Sequence, residues 1–367
     1  MADIPEELDV AVNGHASGEE GAPPTEGLPG RGSASRRVVL EFEKPLAKLE
    51  EQIAELEAGQ GTNPVDAAKE VRQLRLNYSS LLRKTYDKLN AWQIVQVARH
   101  PQRPLFKDYV ELICREFREL HGDRRYGDDA AIRCGLARIG DQKVMLIGHH
   151  KGRETKEKVQ CFFGLAHPEG YRKALRCMKL AEKFGLPVVA LIDTPGAYPG
   201  IGAEERGQAE SIARNLLEMS RLRTPIVAVV CGEGGSGGAL GIGVADRVAM
   251  MEFAWYSVIS PEACSAILFD SNDQAANLAE SLMLTSKELK QLGLIDAIIA
   301  EPLGGAHRDP HSAAFNLSQY ISKTLTALKR GLKRGSMNDL IARRYEKFRS
   351  MGEYLEPSRV QSSAAAG

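Results

Sequence analysis

Two short stretches hold the residue types and spacings that could do chemistry. LIDTPGAYPGIG, from Leu191 to Gly202, closes the apolar run PVVALI in proline and glycine. GEGGSGGALGIG, from Gly232 to Gly243, follows a second apolar run, PIVAVVC. Asp193-Thr194-Pro195-Gly196 has the form a GTPase shows to a γ-phosphate. Such a site also needs Gly-x-x-x-x-Gly-Lys-Ser/Thr, whose lysine and hydroxyl hold the phosphates and Mg²⁺. The chain has no Gly-Lys dipeptide and no Asn-Lys-x-Asp, so nucleotide hydrolysis is excluded. Gly234-Gly235-Ser236-Gly237-Gly238 matches the Gly-x-Ser-x-Gly of a nucleophile elbow. A serine hydrolase also needs a histidine base and an orienting acid. After Ser236 only His307 and His311 follow, both in a Gly- and Pro-rich stretch, which is a weak complement.

A backbone reading fits better. The five glycines of Gly232–Gly238 leave N–H groups unshielded where a helix should start, and a helix start favours negative charge. Such N–H groups form oxyanion holes, and glycine lets a substrate approach without a Cβ in the way. In parallel sheets, ligands sit outside the carboxyl ends of the strands. Both stretches end apolar runs of that kind, so both are expected to border one pocket. A third stretch, GHHKGRETKEK, gathers Lys151, Arg153, Lys156 and Lys158 between a strand and a helix. It reads either as a solvated loop or as cations for a phosphate or carboxylate. His149 and His150 are adjacent on a strand and face opposite ways, which argues against a shared metal.

The elements that must position these stretches follow from periodicity. PVVALID and PIVAVVCG are buried strands, and AIRCGLARIGDQKVMLIGHH reads as two strands around Gly140-Asp141-Gln142. PLFKDYVELICREFREL, PEGYRKALRCMKLAEKF and GAEERGQAESIARNLLEMSRL read as helices. RVAMMEFAWYSVI reads as a strand pair or one long strand. Ser260 caps a helix that has Pro261 in its first turn. Strands alternating with crossover helices indicate an α/β protein with mostly parallel, doubly covered strands. Upstream, two helices around Gly59 and Gly61 form a hairpin over residues 36–100. The main domain spans 101–310. A basic helical region follows over 311–367 and ends in SSAAAG, expected to be disordered, as is the acidic, Gly- and Pro-rich extension 1–35.

The 367 residues carry 48 Lys and Arg against 48 Asp and Glu. Zero net charge removes the electrostatic argument for a nucleic-acid or membrane-surface partner. No apolar run is long enough to span a membrane. The first twenty residues hold six acids and no base, unlike a signal or transit peptide, so a cytoplasmic protein is expected. None of the six cysteines forms a CxxC pair, and no zinc site or other metal is expected.

At KGRETKE (151–157), HPEGYRKALR (167–176), LIDTPGAYPGIGAEERGQAE (191–210), GEGGSGGAL (232–240) and YSVISPE (256–262) the chain resembles the α subunits of multisubunit acetyl-CoA carboxylase carboxyltransferases. The resemblance covers about residues 38–320. Gly241, Ala263 and Phe162 depart from the family's usual Ala, Gly and Asn. The resemblance implies a crotonase-like superhelix of ββα units carrying an N-terminal helical hairpin. It implies transfer of a carboxyl group from carboxybiotin, borne by a carrier protein, to acetyl-CoA, giving malonyl-CoA for fatty acid biosynthesis. No cofactor would be bound covalently to this chain. The implied partners are a zinc-ribbon β subunit in an α₂β₂ heterotetramer, the biotin carboxyl carrier protein and biotin carboxylase. Gly234, Gly235, Gly237 and Gly238 would supply the oxyanion N–H groups. Asp193, Thr194, Pro195, Gly196, Ala197, Tyr198 and Ser236 would border the carboxybiotin, with Lys151, Arg153 and Lys156 open to a phosphate or carboxylate. Glu233 is expected to be a structural acceptor for local N–H groups. Two other functions remain to be weighed: a self-contained crotonase-fold acyl-CoA hydratase or decarboxylase, and a noncatalytic scaffold subunit.

Overall fold

Short apolar runs flanked by Gly and Pro become the strands of one eight-stranded sheet. A computed structural model describes residues 38–58 and 64–352. The extension 1–35, the Gly59 and Gly61 helix stop and the SSAAAG tail lie outside these residues. β1 (Cys114–Glu119), β2 (Ile132–Ile139) and β3 (Gln142–His149) form an antiparallel meander, with β2 and β3 joined through Gly140 and Asp141. β4 (Val188–Thr194), β5 (Ile226–Gly235) and β6 (Arg247–Met251) continue the sheet in parallel from β3. β7 (Trp255–Ser257) pairs with the C-terminal end of β5, and β8 (Ala297–Ile299) pairs with β6. Every residue of β4 and β5 is buried, as expected of parallel strands covered on both faces.

The helices cover this sheet and build its flanks. α1 (Lys44–Ala58), α2 (Pro64–Tyr86) and α3 (Ala91–Ala98) lead into α4 (Phe106–Ile113). α5 (Thr155–Gln160) and α6 (Pro168–Lys183) cross from β3 to β4. α7 (Ile201–Glu205) and α8 (Gln208–Arg221) cross from β4 to β5, and α9 (Ser236–Leu240) follows β5 directly. α10 (Pro261–Phe269), α11 (Ala275–Ser281) and α12 (Ser286–Gln291) precede β8, and α13 (Pro310–Arg334) and α14 (Met337–Arg349) complete the described chain.

The helical hairpin docks on the domain. Leu46, Leu82 and Tyr86 bury themselves with Ile94, Val97 and Phe253. Within the seam, Glu43 accepts from Tyr86 at 2.8 Å and from Arg308 at 2.5 Å. Glu43, His100 and His307 bring ligand-type atoms within 4.8 Å of one another. The Arg308 guanidinium already occupies Glu43, so the cluster works as an ion-pair lock between hairpin and domain.

Three expectations change. PLFKDYVELICREFREL is not one helix: α4 stops at Ile113 and the remainder becomes β1. The pairing has a visible cause. Phe117 lies across Gly135 of β2, where a Cβ would come within 2.5 Å of its ring. Long-range pairing there overrides the local helical pattern. The helix expected over 202–222 is broken at Gly207, whose φ of +82° separates α7 from α8. RVAMMEFAWYSVI yields two strands that both run parallel to β5, β6 along its middle and β7 along its end, rather than pairing with each other. Ser260 caps α10 as expected, accepting from the Ala263 N–H.

Candidate active site

The two glycine-bearing strand ends meet backbone to backbone. Thr194 of β4 stands opposite Gly234 of β5. Beyond that point the chains come closer than side chains would allow. A Cβ on Gly235 would lie 2.1 Å from the Pro195 carbonyl oxygen, and one on Gly238 would lie 2.4 Å from the Gly196 carbonyl carbon. These glycines are demanded by the seam itself. Gly237 differs: its nearest neighbour would be Ile212 Cδ1 at 3.6 Å, an ordinary contact. Ser236 and Gly237 are half-buried, whereas Gly234, Gly235 and Gly238 are buried.

Backbone accounting starts from the donors the strands use. Glu233 gives its N–H to Asp193 Oδ1 at 2.9 Å, and Gly234 and Gly235 belong to the β5 ladders. Ser236, Gly237 and Gly238 occupy the first three positions of α9, whose N–H groups have no acceptor within the helix itself. α9 has five residues, so individual N–H groups rather than a macrodipole carry the positive potential. Ser236 has φ +51°, left-handed backbone that a non-glycine residue holds only where its surroundings enforce it.

A buried ion cluster holds the start of this segment. Lys151 Nζ lies 2.6 Å from Asp193 and 2.5 Å from Glu233. Arg99 pairs with Glu233 at 2.6 Å and reaches Glu262 at the start of α10. Burial opposes the Lys151 charge, but the Asp193 and Glu233 carboxylates outweigh it and hold its pKa above the ordinary lysine range. Burial likewise opposes the Glu233 charge, and Lys151 and Arg99 outweigh it, so its carboxyl stays below the usual range. β3, β4, β5, α3 and α10 are thereby tied at one point beside the glycines.

An aromatic wall stands on the other side of the turn. The His167 and Tyr198 rings stack at 4.1 Å, and Phe162 packs edge-on against them at 4.3 and 5.3 Å. Phe162 and Phe163 are both exposed and both left-handed, with φ +46° and +55°. Beneath the segment, the buried His149 ring lies against the Gly238 backbone. Burial pushes its pKa down to about 3, with Asp129 opposing and Lys151 adding to the shift.

Residues 39–352 match the family model described as acetyl co-enzyme A carboxylase carboxyltransferase-like. The chain belongs to this carboxyltransferase family. It is 54% identical over 322 residues to the acetyl-coenzyme A carboxylase carboxyl transferase subunit alpha of Methylococcus capsulatus, covering 87% of this chain and 98% of the relative. Identity to the subunit of the same name from Rhodopirellula baltica is 53% over 320 residues, with 87% and 98% covered. Among solved structures, transcarboxylase 12S aligns over 60% of this chain and 42% of its own at 20% identity and a TM-score of 0.47. A Pseudomonas malonate decarboxylase hetero-tetramer in complex with coenzyme A aligns over 55% and 82% at 16% identity and a TM-score of 0.46. The sheet and its crossovers are the crotonase-like fold of the carboxyltransferase family. The family match reaches past residue 320, where the resemblance was expected to end, and takes in α13 and α14.

In this carboxyltransferase chain the residues singled out by sequence divide into two sets. Pro195, Ala197, Tyr198, Ser236 and Gly237 are partly exposed and form the rim. Asp193, Thr194, Gly196, Gly234, Gly235 and Gly238 are buried and support it. The Thr194 hydroxyl lies 2.7 Å from both the Gly164 and Gly196 carbonyl oxygens and braces the turn. Lys151, Arg153 and Lys156 do not converge. Lys151 turns inward, Arg153 pairs with Asp108, and Lys156 is exposed on α5. Glu233 holds cations rather than N–H groups; the local N–H acceptor is Asp193. The hydrolase reading loses its base: His307 is buried, stacked on His100 at 4.0 Å and 3.6 Å from Glu43, and His311 lies in α13. All six cysteines are free thiols. No helix among the described residues is long and apolar enough to cross a membrane. Sequence reasoning missed Arg99 and Glu262, and weighed His149 only as a metal ligand. Nothing local marks them, because each acquires its role from partners distant in the chain.

Proposed function

We propose that this chain transfers the carboxyl group of carboxybiotin to acetyl-CoA, giving malonyl-CoA, with Ser236, Gly237 and Gly238 supplying the oxyanion donors. The observation that carries this reading is the glycine-rich first turn of α9, whose N–H groups have no acceptor within the helix, beside a half-buried rim at Ser236 and Gly237. Glycine at 235 and 238 allows backbone to border the pocket where side chains would fill it, which fits a flat ligand. Carboxybiotin supplies the carboxyl group and, as that group leaves, negative charge on the ureido oxygen. Fixed N–H donors facing that oxygen stabilise the charge without reorganising. The Lys151–Asp193–Glu233 cluster keeps the donors in place, since it neutralises the carboxylates that anchor the segment. Tyr198 and Pro195 border the ring. No side chain is assigned as general base. The acetyl-CoA half of the site belongs to a zinc-ribbon β partner in an α₂β₂ assembly, and a biotin carboxyl carrier protein, loaded by biotin carboxylase, delivers the carboxyl group.

The test is malonyl-CoA-dependent carboxylation of biocytin by the full chain, alone and with its co-expressed partner. Activity only in the pair is expected; activity of the chain alone would return the self-contained acyl-CoA enzyme to consideration. Gly237→Val keeps the backbone N–H but puts a branched side chain between it and the ligand, and should lower transfer about a hundredfold if the donor is thereby blocked, one oxyanion donor being worth about 3 kcal/mol. Ser236→Ala should keep at least a tenth of the activity, because the backbone donor survives where a nucleophile would not.

A further inference from the structure

A cavity of about 210 Å³ opens between α6, α8 and the loop HGDRRYG over residues 121–127. Four guanidinium groups line it, from Arg125, Arg172, Arg176 and Arg214, against the carboxylates of Asp123 and Glu210. The carboxylates are already engaged. Asp123 Oδ1 accepts the N–H groups of Arg125, Tyr126 and Gly127 at 2.9, 2.8 and 3.0 Å, and its Oδ2 takes Arg172 Nε at 2.7 Å. Glu210 pairs with Arg214 at 3.2 Å on the exposed rim. Arg176 donates only to the neutral carbonyls of Gly122 and His121, at 3.0 and 3.1 Å. The Arg125 guanidinium has no partner among the described residues. Two positive charges therefore remain uncompensated around one concavity.

The loop that presents Arg125 is held rigidly, and Arg176 stands on α6. Gly122 and Arg124 take left-handed φ values of +74° and +66°, and Asp123 ties the turn together from inside. Asn215, buried at the cavity wall, donates to the Tyr171 and Gly241 carbonyls at 3.0 and 2.9 Å and leaves its Oδ1 without a partner. Arginine forks match phosphate oxygens in pairs and stay charged at every relevant pH.

We propose that this cavity binds a phosphate monoester or diphosphate group. Two sources share that chemistry: the phosphate-bearing tail of a coenzyme A thioester, or a free phosphate compound acting on the enzyme. The cavity lies across α8 from the glycine segment. Ser211 lines it, and the next residue, Ile212, is the one that would contact a Cβ on Gly237. The inference does not rest on the carboxyl-transfer reading, because its test reads binding.

Calorimetric titration of the full chain with inorganic pyrophosphate at low salt should show saturable binding. Arg125→Glu breaks no bond to the rest of the described chain and should weaken that binding at least tenfold with an unchanged melting temperature. Arg125→Ala/Arg176→Ala should weaken it further. The absence of saturable binding, or equal affinity in wild type and Arg125→Glu, overturns the proposal. With binding established, competition by coenzyme A and its loss with 3′-dephospho-coenzyme A assigns the cavity to the thioester tail. Binding that coenzyme A does not displace assigns it to a free phosphate ligand.

Discussion

Adding one methyl group at three glycines separates packing from chemistry. At Gly235 the new Cβ would sit 2.1 Å from the Pro195 oxygen and 2.3 Å from its carbonyl carbon, more than 1 Å inside ordinary contact. At Gly238 it would meet Gly196 and Ala197 backbone at 2.4 and 2.7 Å. Neither obstacle is a flexible side chain, so the two strand ends must part. Overpacking of this kind costs about 1–3 kcal/mol, and rigid backbone on both sides puts these cases at the upper end. At Gly237 the same methyl meets only Ile212 at 3.6 Å. Gly237→Ala should therefore be as stable as the parent, or about 0.5–1 kcal/mol more so if helical entropy dominates. Urea denaturation of the full chain measures stability, and biocytin carboxylation with the co-expressed partner measures activity. Gly235→Ala and Gly238→Ala should lose both together, while Gly237→Ala keeps its stability and at least a tenth of its activity. A Gly235→Ala protein with parental stability and turnover would refute the seam, and an unfolded Gly237→Ala protein would refute the assignment of open space there.

Lys151→Met should cost about 3 kcal/mol in urea denaturation, because it strands the buried Asp193 carboxylate and leaves Glu233 to Arg99 alone; adding Glu233→Gln should recover part of that loss, and strict additivity would argue against the cluster. Arg344 of α14 pairs with Asp246 at 2.8 Å and donates to the carbonyls of Met219, Leu222 and Thr224. Arg344→Leu should cost about 3–5 kcal/mol on the same assay, the typical penalty for leaving a buried charge unpaired; a change below 1 kcal/mol would mean that α14 is dispensable to the domain. His149 has a folded pKa of about 3 against an ordinary 6.5, so the unfolded chain binds the extra proton between those values. Stability contributed by the neutral ring is complete above pH 6.5 and is lost as pH falls toward 3. Between pH 6.5 and pH 5 the loss is about 2 kcal/mol. His149→Leu should flatten the stability profile by that amount, and an identical acid slope in the variant would show that His149 is protonated in the folded state.

What was legible in the sequence was the part of the molecule in which a run of residues acts on its own neighbours. β4 and β5 are contiguous apolar runs between Gly and Pro, and their burial on both faces follows from that alone. α6 and α10 announce their starts through Pro168, Pro261 and the Ser260 cap. The glycine cluster showed that backbone must approach something, but not what. The structure supplies two answers at once: Gly235 and Gly238 are needed by Pro195 and Gly196, and only the rim at Ser236 and Gly237 is left for a ligand. β1 was misread as helix because what settles it is Gly135 in the partner strand. In the sequence, Lys151 reads with Arg153, Lys156 and Lys158 either as part of a solvated loop or as a cation for a phosphate or carboxylate. Its neighbours in space are Asp193 and Glu233, the residues that begin the two strand ends. A buried lysine between two carboxylates has no local signature, since each charge is tolerable only in the presence of the others. The same holds for Arg344 and Asp246, which bring the basic C-terminal region into the domain. The Lys151 charge that looked available for a ligand is thus spent on holding the site together, and those at Arg125, in the loop 121–127, and at Arg176, on α6, are the ones left uncompensated.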